Sequence, residues 1–240
     1  KDSKRIVLEP GVVVADMQKE LHRLGLFYSP NPTEQNSTIG GNIATNASGA
    51  KTFKYGATRD YVKRVKLLLT NGQEINIRRG DLIEENASIN ILNFNLESEK
   101  LNVKDLCMPQ IKHAAGYYIK PGMDLIDLFI GSEGTLAAIT EIELEVLELP
   151  EKVFGGLIFF DDYEKLLSFV ETLREASLKQ FSKSQLYSTS LEARLIEYFD
   201  DKSLELLRSK KYSQIPENAI AAIWVEQEYQ ENNEELILQN

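Results

Sequence analysis

The sequence has 240 residues, 42% hydrophobic and 27% charged, the balance of an ordinary soluble globular chain of one or two domains. Its 27 Lys and Arg against 37 Asp and Glu give a net charge of −10, no basic stripe is present for nucleic-acid phosphates, and no run approaches the ~20 apolar residues that cross a bilayer. Cys107, the sole cysteine, excludes an internal disulfide, an iron–sulfur cluster built by this chain alone and a Cys-rich zinc site, and it points to a reducing compartment, with a cytoplasmic location as the default expectation.

In chain order, the β-prone run Arg5-Ile-Val-Leu8 predicts a first strand. Pro10-Gly11 then turns the chain into a segment with apolar residues at Val13, Met17, Leu21 and Leu24, the spacing of an amphipathic helix closed by Gly25. Residues 26–56 are rich in Gly, Asn, Ser and Thr and have no clear period. Residues 62–70 and 73–78 read as a hairpin in which Asn71-Gly72 supplies the positive φ values of a type I′ turn. Residues 80–110, polar and Asn-rich, read as an insertion or functional loop. From Ile139, alternation places Ile142, Leu144 and Val146 on one face of a strand and Glu141, Glu143 and Glu145 on a solvated one.

Pro150 marks a boundary between a first domain, 1–150, and a second, 151–240. The second reads as strand 153–160, helix 162–175 started by Asp161-Asp162, strand 185–188, helices 191–198 and 204–209, and strand 219–226, an α+β layer. The chain opens at Lys1 within a few residues of a strand and closes on an acidic helical run, 232–240, with no stop signal, so it reads as a piece of a longer protein.

Two segments carry the chemistry. In Asn31-Pro-Thr-Glu-Gln-Asn-Ser-Thr-Ile-Gly-Gly-Asn-Ile-Ala-Thr-Asn-Ala-Ser-Gly49, residues 35–50 hold no charged and no aromatic side chain, and the bulky residues are Ile39 and Ile43. Paired glycines admit a ligand close to the backbone, consecutive amides favour anions, and the hydroxyls of Ser37, Thr38, Thr45 and Ser48 add donors and acceptors. A Gly-rich packing turn is the alternative. The Walker A ending and the three-glycine dinucleotide spacing are both absent. In the second segment, Gly131-Ser-Glu-Gly-Thr-Leu-Ala-Ala-Ile139, two glycines flank Glu133 just where a strand begins, which again suggests close backbone approach.

These segments, with Tyr55-Gly56, Asp60-Tyr-Val62, the hairpin and Gly116-Tyr117 between them, resemble the FAD-linked oxidases of the vanillyl-alcohol oxidase and p-cresol methylhydroxylase type. The nearest branch holds the glycolate oxidase flavin subunit, D-lactate dehydrogenase and D-2-hydroxyglutarate dehydrogenase. The resemblance implies an α+β fold: the second half of a PCMH-type FAD-binding domain, a mostly antiparallel sheet flanked by helices, then an incomplete ferredoxin-like α+β cap domain. It implies FAD lined by Pro32, Thr33, Ser37, Thr38, Gly40, Gly41, Thr45, Asn46, Ala47 and Ser48 on the pyrophosphate and isoalloxazine side, and by Glu133, Gly134, Thr135 and Ile139 on the adenosine side. Ala137 stands where many relatives have glycine. The implied activity is oxidation of a small 2-hydroxy acid of the D-lactate or glycolate type, with an unspecified electron acceptor. The usual pyrophosphate loop is expected before Lys1 and the catalytic histidine after Asn240, so the fragment itself is expected to be inactive and to bind FAD weakly. The other reading of the full protein is a non-catalytic FAD-binding accessory subunit of an oxidase complex.

The remaining candidates are His22, on the polar side of the first helix, and the group Lys112, His113 and Tyr117, in a region that such relatives place near the active site. Two distant histidines make no metal set, and no nucleic-acid partner is expected.

Overall fold

The computed structural model describes residues 4–30, 32–80, 88–92, 98–102, 108–109, 111–120, 122–181, 191–210 and 214–230. Contacts divide the chain into two units, one of residues 1–49 and 56–148, the other of residues 50–55 and 149–240.

The first unit begins with strand β1 (Lys4–Leu8), helix α1 (Val14–Arg23) and the short strand β2 (Leu26–Phe27). Helix α2 (Ile39–Ala44) follows, then α3 (Thr52–Tyr55), which belongs to the second unit, and α4 (Thr58–Tyr61). The hairpin β3 (Val62–Leu69) and β4 (Glu74–Arg78), the two-stranded ladder β5 (Ser88–Leu92) and β6 (Ser98–Asn102), helix α5 (Leu125–Phe129) and the long strand β7 (Ala137–Glu148) complete it. β7 is central, its backbone pairing on both edges, with β1, Lys4 opposite Val146, and with β3, Val65 opposite Ile142, while its alternation buries one face. The order β1-β7-β3-β4 is antiparallel throughout, and β2 joins the far end of β7. Ile142 and Leu144 are fully buried, as are Val62 and Ile126, while α1 buries Val14, Met17 and Leu21. Leu24, expected on that buried stripe, is instead 72% exposed, because the helix ends at Arg23 and Gly25, at φ 70°, turns the chain away.

Three other expectations change. The β3–β4 turn is not type I′: only Gly72 enters the left-handed region, at φ 83°, with its N–H bonded to Leu69 O at 2.9 Å, and the Asn71 side chain accepts from Gln73 N at 2.9 Å. Within the stretch read as a loop, β5 and β6 pair in register from Ser88 opposite Asn102. The glutamates of β7 do not form a plain solvated face. Arg64, itself buried, reaches Glu141 at 2.6 Å and Glu143 at 3.0 Å, Arg5 reaches Glu143 at 2.9 Å, and Lys63 pairs with Glu145.

The second unit is built on strands β8 (Lys152–Phe160), β9 (Ala193–Phe199) and β10 (Ala221–Tyr229), antiparallel in the order β8-β10-β9, with helices α6 (Tyr163–Phe181) and α7 (Asp201–Ser209). Asp162 accepts from Lys165 N at 3.0 Å at the start of α6, and Asp200 from Ser203 N at 2.7 Å at the start of α7, so both helices begin on a side-chain cap. Leu166 and Leu173 pack with Ala221, Ile223 and Val225 in one core, and Leu204 with Ala219 and Ala222 in another. β9 corrects the helix expected at 191–198. Ala193, Arg194 and Leu195 are all buried, Leu195 pairs with Glu226 of β10, and the Arg194 guanidinium bonds Glu226 at 2.6 Å, so cross-strand partners override a helix-prone composition. The strand expected at 185–188, Cys107 and the acidic run 232–240 lie outside the described residues.

Candidate cofactor site

The unperiodic Gly-rich passage folds as α2 because its ends are tied locally and at long range. Thr38 caps it, its hydroxyl accepting from Gly41 N at 3.2 Å, and the amides of Ile39 and Gly40 donate to Val12 O at 2.9 Å and Pro10 O at 2.8 Å. Ile39, Asn42 and Ile43 are buried, which leaves Gly40, Gly41 and Ala44 on the opposite side. Asn46 ends the turn in the left-handed region at φ 47°, a conformation Asn tolerates better than most residues.

The second motif meets the first at this point. After α5 the chain turns through Gly131, Glu133 and Gly134, at φ 84°, 53° and 73°. Two of its amides cap the end of α2: Gly131 N donates to Ile43 O at 2.9 Å and Glu133 N to Ala44 O at 2.8 Å. A left-handed Glu133 is a strained conformation of the kind that collects at ligand sites. Along the seam lies a cleft of about 480 Å³ walled by Pro10, Thr38, Gly41, Ser132, Gly134 and Ile139 among others, within the usual range for ligand clefts. Among the described residues no charged side chain lines it.

Of the residues singled out in the sequence, Thr38, Gly40, Gly41, Gly134 and Ile139 line this cleft. Others shape its walls from behind. The Thr45 hydroxyl bonds Gly41 O at 3.0 Å, Ser37 bonds Asn42 Oδ1 at 3.0 Å, Thr135 bonds Ser132 O at 2.6 Å, and Ala47 O accepts both Thr58 N and the Thr58 hydroxyl, at 3.1 and 2.7 Å. Tyr28, fully buried, donates to Thr58 at 3.2 Å, and burial pushes its phenol far above the ordinary value. Pro32, Thr33 and Ser48 are not among the lining residues. The amides of Ile39, Gly40, Gly41 and Asn42 are engaged within the chain, so α2 offers the cleft bare Cα edges and a hydroxyl rather than a row of N–H groups. His22 is exposed on α1, and Lys112 and His113 do not reach the cleft, although Tyr117 bonds the Thr135 hydroxyl at 2.7 Å.

Sequence reasoning missed the group behind the seam. Arg59 donates to Asp127 O at 2.6 Å and Ile130 O at 2.5 Å and lies 3.0 Å from Asp127 Oδ1, while Arg79 reaches the same carboxylate at 2.7 Å. These charges are scattered singly through the sequence, and only the fold collects them. Pro10, at the turn after the first strand, was likewise read as a turn residue and not as a wall of the cleft.

The geometry has a counterpart among known proteins. Residues 1–78 match the FAD binding domain family. The chain is 29% identical over 228 residues to the D-lactate dehydrogenase of Anaerostipes hadrus, covering 86% of this chain and 41% of that protein. It is 29% identical over 222 residues to the glycolate oxidase subunit GlcD of Bacillus subtilis, covering 92% and 37%, and 30% identical over 199 residues to the D-2-hydroxyglutarate dehydrogenase of Stutzerimonas stutzeri, covering 82% and 32%. A solved structure of alkyldihydroxyacetonephosphate synthase superposes with a TM-score of 0.64 at 18% identity, covering 98% of this chain and 36% of that one. The arrangement of antiparallel sheets flanked by helices is therefore a fold shared with that protein. The match of residues 1–78 to the FAD binding domain family supports the resemblance to FAD-linked oxidases, and the cofactor it indicates is FAD. The chain spans about two-fifths or less of these relatives.

The cleft fits part of such a cofactor on its own terms. A Cβ added to Gly41 would meet only the Thr38 hydroxyl, at 3.2 Å, so the space in front of it is open to a ligand. Thr38 accepts from Gly41 N and keeps its own O–H for a ligand oxygen. Among the described residues no cluster of His, Cys, Asp and Glu is arranged to hold a metal ion, and no helix is long and apolar enough to cross a membrane.

Proposed function

We propose that the protein containing this chain is an FAD-dependent oxidoreductase that converts a small 2-hydroxy acid, of the D-lactate or glycolate type, to the 2-oxo acid. The observation that carries this reading is the meeting of both motifs, Thr38–Gly41 and Gly131–Ile139, along one uncharged cleft of small residues. FAD held there would supply the two-electron acceptor that oxidation of a hydroxy acid requires. The role of this chain is to hold the cofactor: Gly41 and Ala44 give close approach, Thr38 donates a hydrogen bond, and Ala138 and Ile139 offer apolar contact. Among the described residues, the cleft lining offers no His, Asp, Glu, Lys or Cys side chain. Residues 1–150 act in this reading as part of the FAD domain and residues 151–240 as the start of the substrate-side cap, and the site of action is cytoplasmic.

Anaerobic mixing of the intact flavoprotein with D-lactate, glycolate and D-2-hydroxyglutarate tests the proposal. Bleaching of the flavin absorbance by at least one of them is expected. Flavin that dithionite reduces but all three hydroxy acids leave oxidised would contradict the enzyme and favour the accessory subunit.

A further inference from the structure

We propose that Arg59 is a positioning residue for the cofactor, tying the Asn46 end of the first motif to the Ile130 end of the second and so setting the separation of the cleft's two walls. The inference rests on the FAD reading above and adds to it a residue that touches neither cleft nor cofactor. Three segments converge on this one side chain and its backbone. The Arg59 main-chain N–H donates to Asn46 Oδ1 at 3.0 Å, holding the residue that ends α2 in its left-handed conformation. The two Nη groups bond consecutive features of the α5 end, Asp127 O at 2.6 Å and Ile130 O at 2.5 Å, directly before Gly131. The guanidinium carbon lies 4.1 Å from the centre of the Tyr118 ring, next to Tyr117, which bonds Thr135.

The arrangement is over-determined in the way a spacer has to be. Arg79 bonds Arg59 O at 2.7 Å and shares Asp127, so the backbone carrying the guanidinium cannot shift without disturbing a second arginine. A Cβ at Gly131 would lie 3.4 Å from Asn46 Cβ and 3.5 Å from Arg59 Nη2, which shows how closely the three residues approach. A planar fork with donors on two nitrogens can bridge two carbonyls, whereas the lysine ammonium is a single point. Arg59 therefore behaves as a rigid strut, and its removal should loosen the cleft while leaving the sheet intact.

The test uses the intact protein, with Arg59→Ala and Arg59→Lys compared to wild type by FAD titration, visible circular dichroism of the bound flavin, and melting of the apoprotein. Both variants are expected to bind FAD at least about tenfold more weakly, equivalent to roughly 1.4 kcal/mol, and to give an altered flavin dichroism. Methylguanidinium is expected to restore Arg59→Ala in both readouts, which a general loss of stability would not permit. Arg59→Lys keeps a cation beside Asp127, and it decides the matter if the alanine variant fails to fold. A folded Arg59→Lys with wild-type affinity and wild-type flavin dichroism would overturn the proposal. Wild-type protein that binds no FAD at all would instead remove the cofactor reading, and the strut with it.

Discussion

Gly40 and Gly41 are adjacent in sequence and opposite in what surrounds them. A Cβ on Gly40 would sit 2.6 Å from Pro10 Cβ and 2.9 Å from Pro10 O, and the backbone there is held by the Gly40 N to Pro10 O bond of 2.8 Å. The glycine is required by the protein's own packing, not by a ligand. Gly40→Ala is therefore expected to destabilise the fold by about 1–3 kcal/mol, the usual cost of overpacking, read as a lower urea midpoint at unchanged slope. Gly41→Ala meets only the Thr38 hydroxyl at 3.2 Å and is expected to unfold close to the wild-type midpoint. Equal losses at the two positions would show that both are packing glycines. The sequence places both in one run of small residues and cannot tell these roles apart, because Pro10 becomes a neighbour only after the chain has folded.

Elements with a strong period were legible, and those set by distant partners were not. β1, α1, the β3–β4 hairpin, β7, β8, α6 and β10 follow from alternation, helical spacing and caps. α2 has six residues and two glycines, and it depends on Thr38 and on carbonyls of residues 10 and 12, which no local pattern announces. β9 has the composition of a helix and is a strand because Arg194 finds Glu226 and Glu228 across the ladder. On β7 the alternation gave the buried face correctly, yet the glutamate face proved to be paired with cations from β1 and β3. The hydrogen bond from Arg64, against the opposing effect of burial and with help from Arg5, holds the Glu143 carboxyl below the ordinary carboxylate range. A carboxyl depressed in the folded state contributes stability at and above the ordinary range, and that stability is lost as the pH falls through the depressed value. Glu143→Gln is accordingly expected to cost about 1–3 kcal/mol at neutral pH, as charged hydrogen bonds do, and to flatten the loss of stability on acidification. Identical acid-unfolding profiles for the two proteins would contradict the pairing.

The chain leaves the first unit after Gly49 and returns to it at Gly56, and the intervening residues 50–55 belong to the second unit. There Lys54 pairs with Glu192 at 2.8 Å and Glu228 at 3.0 Å, Tyr55 donates to Glu228, and Arg194 lies 3.2 Å from the same carboxylate. Burial alone would push the Glu228 carboxyl up, and Lys54, Tyr55 and Arg194 together outweigh it and hold it down. This hexapeptide follows directly on Gly49, the last residue of the first motif, so the sequence neighbourhood of the proposed cofactor segment includes a charge cluster that the small, uncharged run gives no hint of. The account stands on the claim that the seam of α2 and the Gly131 turn receives FAD, and the flavin content of the intact protein beside its Gly41→Val variant tests it most directly. Wild-type protein is expected to purify with the visible bands of bound flavin, and Gly41→Val, whose side chain projects into the open space before Thr38, to purify folded and without them. A folded Gly41→Val carrying a full complement of FAD, or a wild type that takes up none on reconstitution, would contradict the account.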